Sequence, residues 1–314
     1  MIRKGCVSII IPAYNAAATI DECLESVVKQ SYSDLEILLI DDGSTDNTFE
    51  KGKEWVNRDK RIKIIRVENK GVSSARNLGI REARGVFLSF IDSDDIVAEN
   101  FIECLIEMIH FNEAQCACVG IKPFKQRAEI KQFVNSYKSC LLTENLQMEL
   151  LKFIGGFMAN KLYIARIIRD NNLFLNENVS ISEDLVFNFH YFSYCTSIAY
   201  TEAVFYFYRQ NVSSAFYNLS NFKWFTVIDA YQELLRMDIT EETYNYLCFT
   251  YHIILCEAKY RINRFDDLKK KEYILKELKK LKNMYRPSTL RQWLKILIFT
   301  ILPRMTMLYR RRNL

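Results

Sequence analysis

The chain opens with five short apolar runs, at residues 7–11, 36–41, 62–68, 86–92 and 115–120, each set off from the next by a polar, mixed stretch. This pattern leaves few folds open. The runs are rich in β-branched and aromatic residues and nearly continuous rather than alternating, as in strands covered on both faces. The stretches between them, at 19–30, 44–57, 73–83 and 99–112, carry helical periodicity. Thr19 stands where it would cap the first helix, with Glu22 at the reciprocal capping-box position. Strands alternating with helices predict an α/β fold, a mostly parallel sheet flanked by helices. Ligands of such sheets bind beyond the carboxyl ends of the strands, so polar residues there are candidates for chemistry.

The remainder reads differently. Residues 121–215 are less regular, with helices expected at 159–171 and 183–194 and a strand at 203–209. Helical patterns at 221–237, 241–262, 266–283 and 288–302 predict an α-helical C-terminal region over 216–314, with no Gly or Ser linker before it. The N-terminus imitates a signal peptide, but its apolar run stops after five residues at Pro12, so the expectation is a mature, cytoplasmic protein. No stretch reaches the roughly 20 apolar residues of a membrane span. Nine cysteines in 314 residues, none at zinc-site spacing, read as reduced thiols.

Charge is split along the chain. The formal net charge is +5, yet residues 259–314 hold 17 Lys and Arg against 4 Asp and Glu. Within this tail, 269–282 reads as a helix with a basic face and an Ile/Leu stripe. The apolar stretch 293–302 follows, and then Arg310, Arg311 and Arg312. Basic residues beside Trp, Leu, Ile and Phe fit an anionic membrane surface. No nucleic-acid motif accompanies them. The alternative is that 293–302 packs on the helical region and the lysines form a solvated face.

The strand ends carry the informative residues. The first ends in Pro12-Ala13-Tyr14-Asn15, the second in Asp41-Asp42-Gly43-Ser44 and the fourth in Asp92-Ser93-Asp94-Asp95, so carboxylates converge on one sheet edge. Such clustering is costly unless cations or donors compensate. Asp42, Asp46 and Asp95 are equally readable as turn formers and caps. Asp92 and Asp94, one residue apart, suit a hard divalent ion shared with phosphate oxygens. Dinucleotide and Walker A fingerprints are both missing, which disfavours NAD and P-loop readings. Arg76 is open to two readings, a phosphate-facing cation or a solvated helix arginine.

Four segments, VSIIIPAYN, IDDGSTD, NKGVSSARNLG and FIDSDD, in this order over roughly the first 110 residues, resemble the family 2 glycosyltransferases of the GT-A fold. NKLY, SEDLVF and FYFYR extend the resemblance to about residue 215, toward the bacterial enzymes of capsular polysaccharide, exopolysaccharide and lipopolysaccharide synthesis. The resemblance implies a catalytic domain over 1–215, with a nucleotide-sugar half at about 1–120 and an acceptor half at about 121–215. Pro12, Ala13 and Tyr14 would border the nucleotide base, and Asp42 would accept a hydrogen bond from it. Arg76 would lie near the base or diphosphate, and Asp92 near the ribose and metal. Asp94 would hold Mn2+ or Mg2+. Asp184 would be the general base of an inverting transfer from a nucleoside-diphosphate sugar, commonly a UDP-sugar. Its acceptor would be a hydroxyl of a saccharide or lipid-linked saccharide, at the cytoplasmic face of the cell membrane. A helix-dipole role for Asp184 is the plain alternative. None of His110, His190 and His252 falls in a motif that would make it a third metal ligand. A non-catalytic scaffold of a polysaccharide assembly would keep the fold but has no need of Asp92, Asp94 and Asp184. A nucleotidyltransferase would want a Gly-rich basic loop after the first strand, where this chain has residues 15–18.

Overall fold

The computed structural model describes residues 5–125, 127–130, 133, 134, 136–210, 222–263, 265, 267–285, 287 and 289–301. The first half follows the alternation of the sequence. In chain order it runs β1 (Val7–Ala13), α1 (Ile20–Val28), β2 (Leu35–Asp41), α2 (Thr48–Arg58), β3 (Ile62–Arg66), α3 (Val72–Glu82), β4 (Phe87–Phe90), β5 (Ile96–Val97), α4 (Phe101–Asn112) and β6 (Cys116–Phe124). Next come β7 (Cys140–Leu142), α5 (Leu146–Glu149), β8 (Lys161–Ile164), α6 (Ala165–Asp170), α7 (Glu183–Phe192) and β9 (Ile198–Arg209). The strands form one sheet in the order β3-β2-β1-β4-β8-β6-β9-β5, with β7 against β9. Pairing is parallel from β3 to β4. Beyond it, β8 runs antiparallel to both β4 and β6.

Two expectations need correcting here. Of the helix expected at 159–171, residues 161–164 form β8 instead and only α6 is helix. Leu162 and Tyr163 are buried inside the sheet, and a short run buried on both faces looks the same for strand and helix. Thr19 does not cap α1 through its side chain. Its hydroxyl donates instead to the carbonyls of Ala16 and Ser93, while Glu22 receives the Arg209 guanidinium.

The two sheet faces have separate partners. Val7, Ile9 and Ile11 of β1 join Leu24, Val27, Phe101 and Leu105 in the core under α1 and α4. Ile10 points the other way, to α3, where a Cβ at Gly79 would stand 2.3 Å from its Cγ2, so only glycine admits this close approach. On that second face Phe90 meets Tyr163 and Phe187 edge-on, which seats α7 beside α3. The strand order reverses at β1, and the carboxyl ends of β1, β2 and β4 therefore open on a shared crevice.

The chain divides into two compact units, one of Met1–Glu177 with Glu183–Val212, the other of Asn178–Ser182 with Ser213–Leu314. The boundary expected at 215/216 falls outside the described residues. The second unit carries α8 (Thr226–Leu234), α9 (Glu241–Ile262), α10 (Leu268–Met284) and α11 (Leu290–Ile301). α10 and α11 both pack on α9. Ile274 and Leu281 of the Ile/Leu stripe are buried, whereas Leu275, Leu294, Leu297 and Ile298 are exposed. Residues 302–314, including Arg310–Arg312, lie outside the described residues.

Candidate active site

A cleft of about 190 Å³ opens at the carboxyl edge of the parallel strands, lined by Pro12, Ala13, Tyr14, Asp42, Val72, Ala75, Asp92 and Ser93. Five of the residues singled out in the sequence therefore meet in one place. The loops after β1 and β2 are tied together. Asn15, in the left-handed region at φ 51°, accepts from the Thr45 amide through Oδ1, and its own amide donates to Ser44 Oγ. These ties leave Tyr14 half exposed, at 50%, over the cleft rim. Asp42 is buried, and its two oxygens accept from the amides of Lys70 and Gly71 at 2.9 and 2.8 Å. It thereby fixes the turn that starts α3, rather than its own turn. Each of these oxygens keeps a second lone pair.

The Asp92–Asp95 turn is held from several sides. Arg209 Nε donates to the Asp94 carbonyl at 2.6 Å, and its amide donates to Asp95 Oδ1 at 2.7 Å. The Tyr206 hydroxyl donates to Asp95 Oδ2 and receives the Asp92 amide. Thr19, just before α1, and Cys23 on it donate to the carbonyls of Ser93 and Asp92. Asp95 is therefore a buried strut and not a helix cap. Its burial, and then the charges of Asp92 and Asp94, push its carboxyl well above the usual range. Asp46 does serve its turn, accepting from the Thr48 amide and hydroxyl. Tyr206 and Arg209 carry no role in the sequence reading; the signals there are the apolar-aromatic strand they end and the FYFYR segment of the family resemblance.

Arg76 is 5% exposed, which excludes the solvated reading. Its Nη2 donates to Asp92 at 2.9 Å and its Nη1 to Glu183 at 3.2 Å, joining the end of β4 to the start of α7. Burial works against its charge, but Asp92, Asp184 and Glu183 together raise its pKa above the usual arginine value. It does not line the cleft, and touches it through Asp92. Glu183 was not foreseen. Burial and the neighbouring Asp184 push its carboxyl up to about 8, against the pull of Arg76. Asp184 itself is half-buried in the first turn of α7, near enough for its charge to bear on Arg76, Lys161 and Tyr163.

For a divalent ion, the described residues contain no cluster of three or more candidate ligands. A cage built wholly of protein is thus missing among them. Asp92 and Asp94, both half-buried on one turn beside the cleft, are hard oxygen donors that fit an ion sharing its shell with diphosphate oxygens.

Comparison with known proteins places the chain. The family described as Glycosyl transferase family 2 matches residues 8–170. The uncharacterized glycosyltransferase EpsJ of Bacillus subtilis is 34% identical over 216 residues, 66% of this chain and 62% of that protein. Glycosyltransferase GlyG of Streptococcus pneumoniae is 41% identical over 109 residues, 34% of this chain and 36% of its own length. The chain thus spans less than two thirds of either relative. Among solved structures, S. aureus TarS 1-349 in complex with UDP-GlcNAc superposes with a TM-score of 0.63 at 20% identity, covering 88% of this chain and 81% of that one. The mannosyltransferase PcManGT of Pyrobaculum calidifontis, in complex with GDP-Man and Mn2+, gives 0.59 at 13% identity, covering 95% and 87%. The fold is the mixed α/β fold of these GT-A proteins.

The raised Glu183 pKa has a testable consequence. A carboxyl that ionises near 8 when folded and near 4.5 when unfolded holds its proton in the folded state, so its contribution to stability falls as pH rises through that window. Glu183→Gln removes the titration. The melting temperature of the variant should gain on the wild type between pH 5 and pH 8, by about 5 °C. Parallel melting curves across this range would show the group to be ionised throughout.

Proposed function

Because this chain belongs to glycosyl transferase family 2, we propose that it moves a sugar from a nucleoside-diphosphate sugar, a UDP-sugar in particular, to a hydroxyl of a saccharide or lipid-linked saccharide, with inversion at the anomeric carbon. The observation that carries the proposal is the single Arg76 guanidinium bonded to Asp92 at the cleft and to Glu183 beside Asp184. It joins a donor-side carboxylate to the neighbour of the carboxylate read as the base. UDP-GlcNAc in TarS and GDP-Man in PcManGT support a nucleotide-sugar donor here by likeness of fold.

In this reading Pro12, Ala13 and Tyr14 border the base, with Tyr14 stacking on it, and Asp42 accepts from the base through a remaining lone pair. Asp92 and Asp94 would hold Mn2+ or Mg2+, whose chemistry there is to neutralise charge on the departing diphosphate. Asp184 takes the proton of the acceptor hydroxyl as its oxygen bonds to the anomeric carbon. The bond from that carbon to the diphosphate breaks on the opposite face, and the electron pair leaves with the phosphate. One displacement needs one base and no protein nucleophile. Glu183, protonated near neutral pH, lets Arg76 serve two sites without a further negative charge beside the base.

The domain assignment, catalytic over 1–215 and helical over 216–314, is part of this proposal, as is a peripheral position on the inner face of the cell membrane. No helix among the described residues is long and apolar enough to cross a membrane. With Ile274 and Leu281 buried, the candidate lipid-facing residues are Leu275 on α10 and Leu294, Leu297 and Ile298 on α11, all exposed. Synthesis of cell-surface polysaccharide is the process that a lipid-linked acceptor at this membrane would serve.

Three outcomes test the reading. Asp94→Asn should lower nucleoside-diphosphate release from UDP-glucose or UDP-GlcNAc by about a thousandfold in the presence of Mn2+, while circular dichroism stays unchanged; retention of activity at saturating metal would remove Asp94 from the site. Asp184→Asn should keep UDP affinity and lose acceptor turnover by about 10²–10⁴-fold; an equal loss of UDP affinity would make it a donor residue. In flotation with liposomes rich in anionic lipid, the full chain should rise with the vesicles, and a chain ending at residue 289 should remain below. If the full chain stays below as well, the membrane assignment falls.

A further inference from the structure

The segment between α5 and β8 has no part in the donor site, yet its backbone is held with unusual completeness. It passes through a π-type turn, Leu150–Ile154, and then Gly155-Gly156-Phe157, with Gly155 at φ 75°. Lys161, the first residue of β8, is wholly buried. Its ammonium donates back to the Gly155 carbonyl at 3.0 Å, the Phe157 carbonyl at 2.5 Å and Asn160 Oδ1 at 2.8 Å. Asn188 lies one turn along α7 from Asp184. Its Nδ2 donates to the Gly156 carbonyl at 2.7 Å, and its Oδ1 receives the Tyr163 hydroxyl at 2.7 Å. All three carbonyls of the segment are therefore fixed by buried side chains.

This pinned backbone lies against the residue that follows Asp184. A Cβ at Gly156 would stand 3.0 Å from Leu185 Cδ1 and 3.4 Å from Leu185 Cα. Asp184 is also near enough to bear electrostatically on Lys161. What the segment presents is an aromatic ring: Phe157 is 50% exposed, with Phe153, 63% exposed, in the turn before it. The Phe157 ring folds back over Gly155, where a Cβ would come within 3.4 Å of Cδ2. Gly155, at positive φ, leaves room for the ring beside it.

Core packing does not account for this arrangement. Burying an ammonium is costly, and hydrogen bonds to three oxygens are needed to offset the lost hydration. Here they immobilise three residues whose side-chain content is one exposed phenyl group. A rigid, half-exposed aromatic ring is a preorganised contact surface. A pyranose ring offers the complementary surface, a face of C–H groups with hydroxyls at its rim, and an acceptor whose hydroxyl reaches Asp184 must rest its ring close by.

We propose that Phe157, on the segment pinned by Lys161 and Asn188, contacts the sugar ring of the acceptor and helps determine which acceptors are used. The proposal rests on the glycosyl-transfer reading above, and it names a neutral pyranoside as the ligand class. The test is saturation-transfer NMR of methyl β-D-glucopyranoside, methyl β-D-galactopyranoside and methyl N-acetyl-β-D-glucosaminide, each with the full chain and saturating UDP. At least one should receive saturation from the wild type. Phe157→Ala should reduce that signal at least fivefold, Phe157→Tyr should restore it, and UDP affinity by calorimetry should agree within twofold among all three proteins. An undiminished signal in Phe157→Ala, or no signal for any pyranoside with the wild type, overturns the proposal. The underlying reading fails separately, if the wild type releases no nucleoside diphosphate from UDP-glucose, UDP-galactose, UDP-GlcNAc or GDP-mannose. Pyranoside binding that persisted in that case would refute Phe157 as an acceptor residue.

Discussion

Asp92, Asp94 and Asp95 occupy one four-residue turn, and repulsion between carboxylates so close would open it if nothing opposed them. Much of the surrounding structure is a response to that repulsion. Asp95 is withdrawn into the core and accepts from Tyr206 and the Arg209 amide. Asp92 shares a buried guanidinium with Glu183. The Asp94 backbone is drawn to Arg209, whose guanidinium also reaches Glu22 on α1 and lies 4.7 Å from the Phe124 ring centroid. One residue thus links the turn, the first helix and the far half of the sheet. The carboxylates beside the cleft keep their place because the carbonyls of Asp92, Ser93 and Asp94 are all tied.

The same logic carries to the other side of the site. Arg76 lies on α3, which Gly79 allows to sit directly on β1, and α7 reaches Arg76 because Phe187 packs edge-on to Phe90. The separation of Asp92 from Glu183 and Asp184 is therefore set by the packing of two helices on one sheet face. A change in that packing would alter Arg76 geometry before it altered any residue in the cleft.

The first 112 residues were largely legible because each run had one period and one environment. Strands covered on both faces gave unbroken apolar runs, and the turns between them held the polar residues that line the cleft. Residues 161–164 were misread because Leu162 and Tyr163 are buried whichever element they form. The cleft lining was legible where a residue type at a strand end speaks for itself, as with Tyr14, Asp42 and Asp92. The site was not legible where the role depends on a distant partner. Glu183 gains its meaning from Arg76, 107 positions earlier. Thr19 looked like a cap because its local sequence fits one, and the nearby Ser93 carbonyl takes its hydroxyl instead.

The Tyr206 bond to Asp95 spans 111 positions of chain, and the Arg209 bond to the Asp94 carbonyl spans 115. During synthesis the acidic turn therefore leaves the ribosome well before the residues that restrain it. The first four parallel strands can pair by then, since β1 through β4 need only each other and their own helices. For the time it takes to translate those later residues, such an intermediate would carry a formed sheet with a loosened acidic edge. Competence for chemistry would then arrive in one late event, the docking of β9, and truncation products ending before it would be folded in part yet inert.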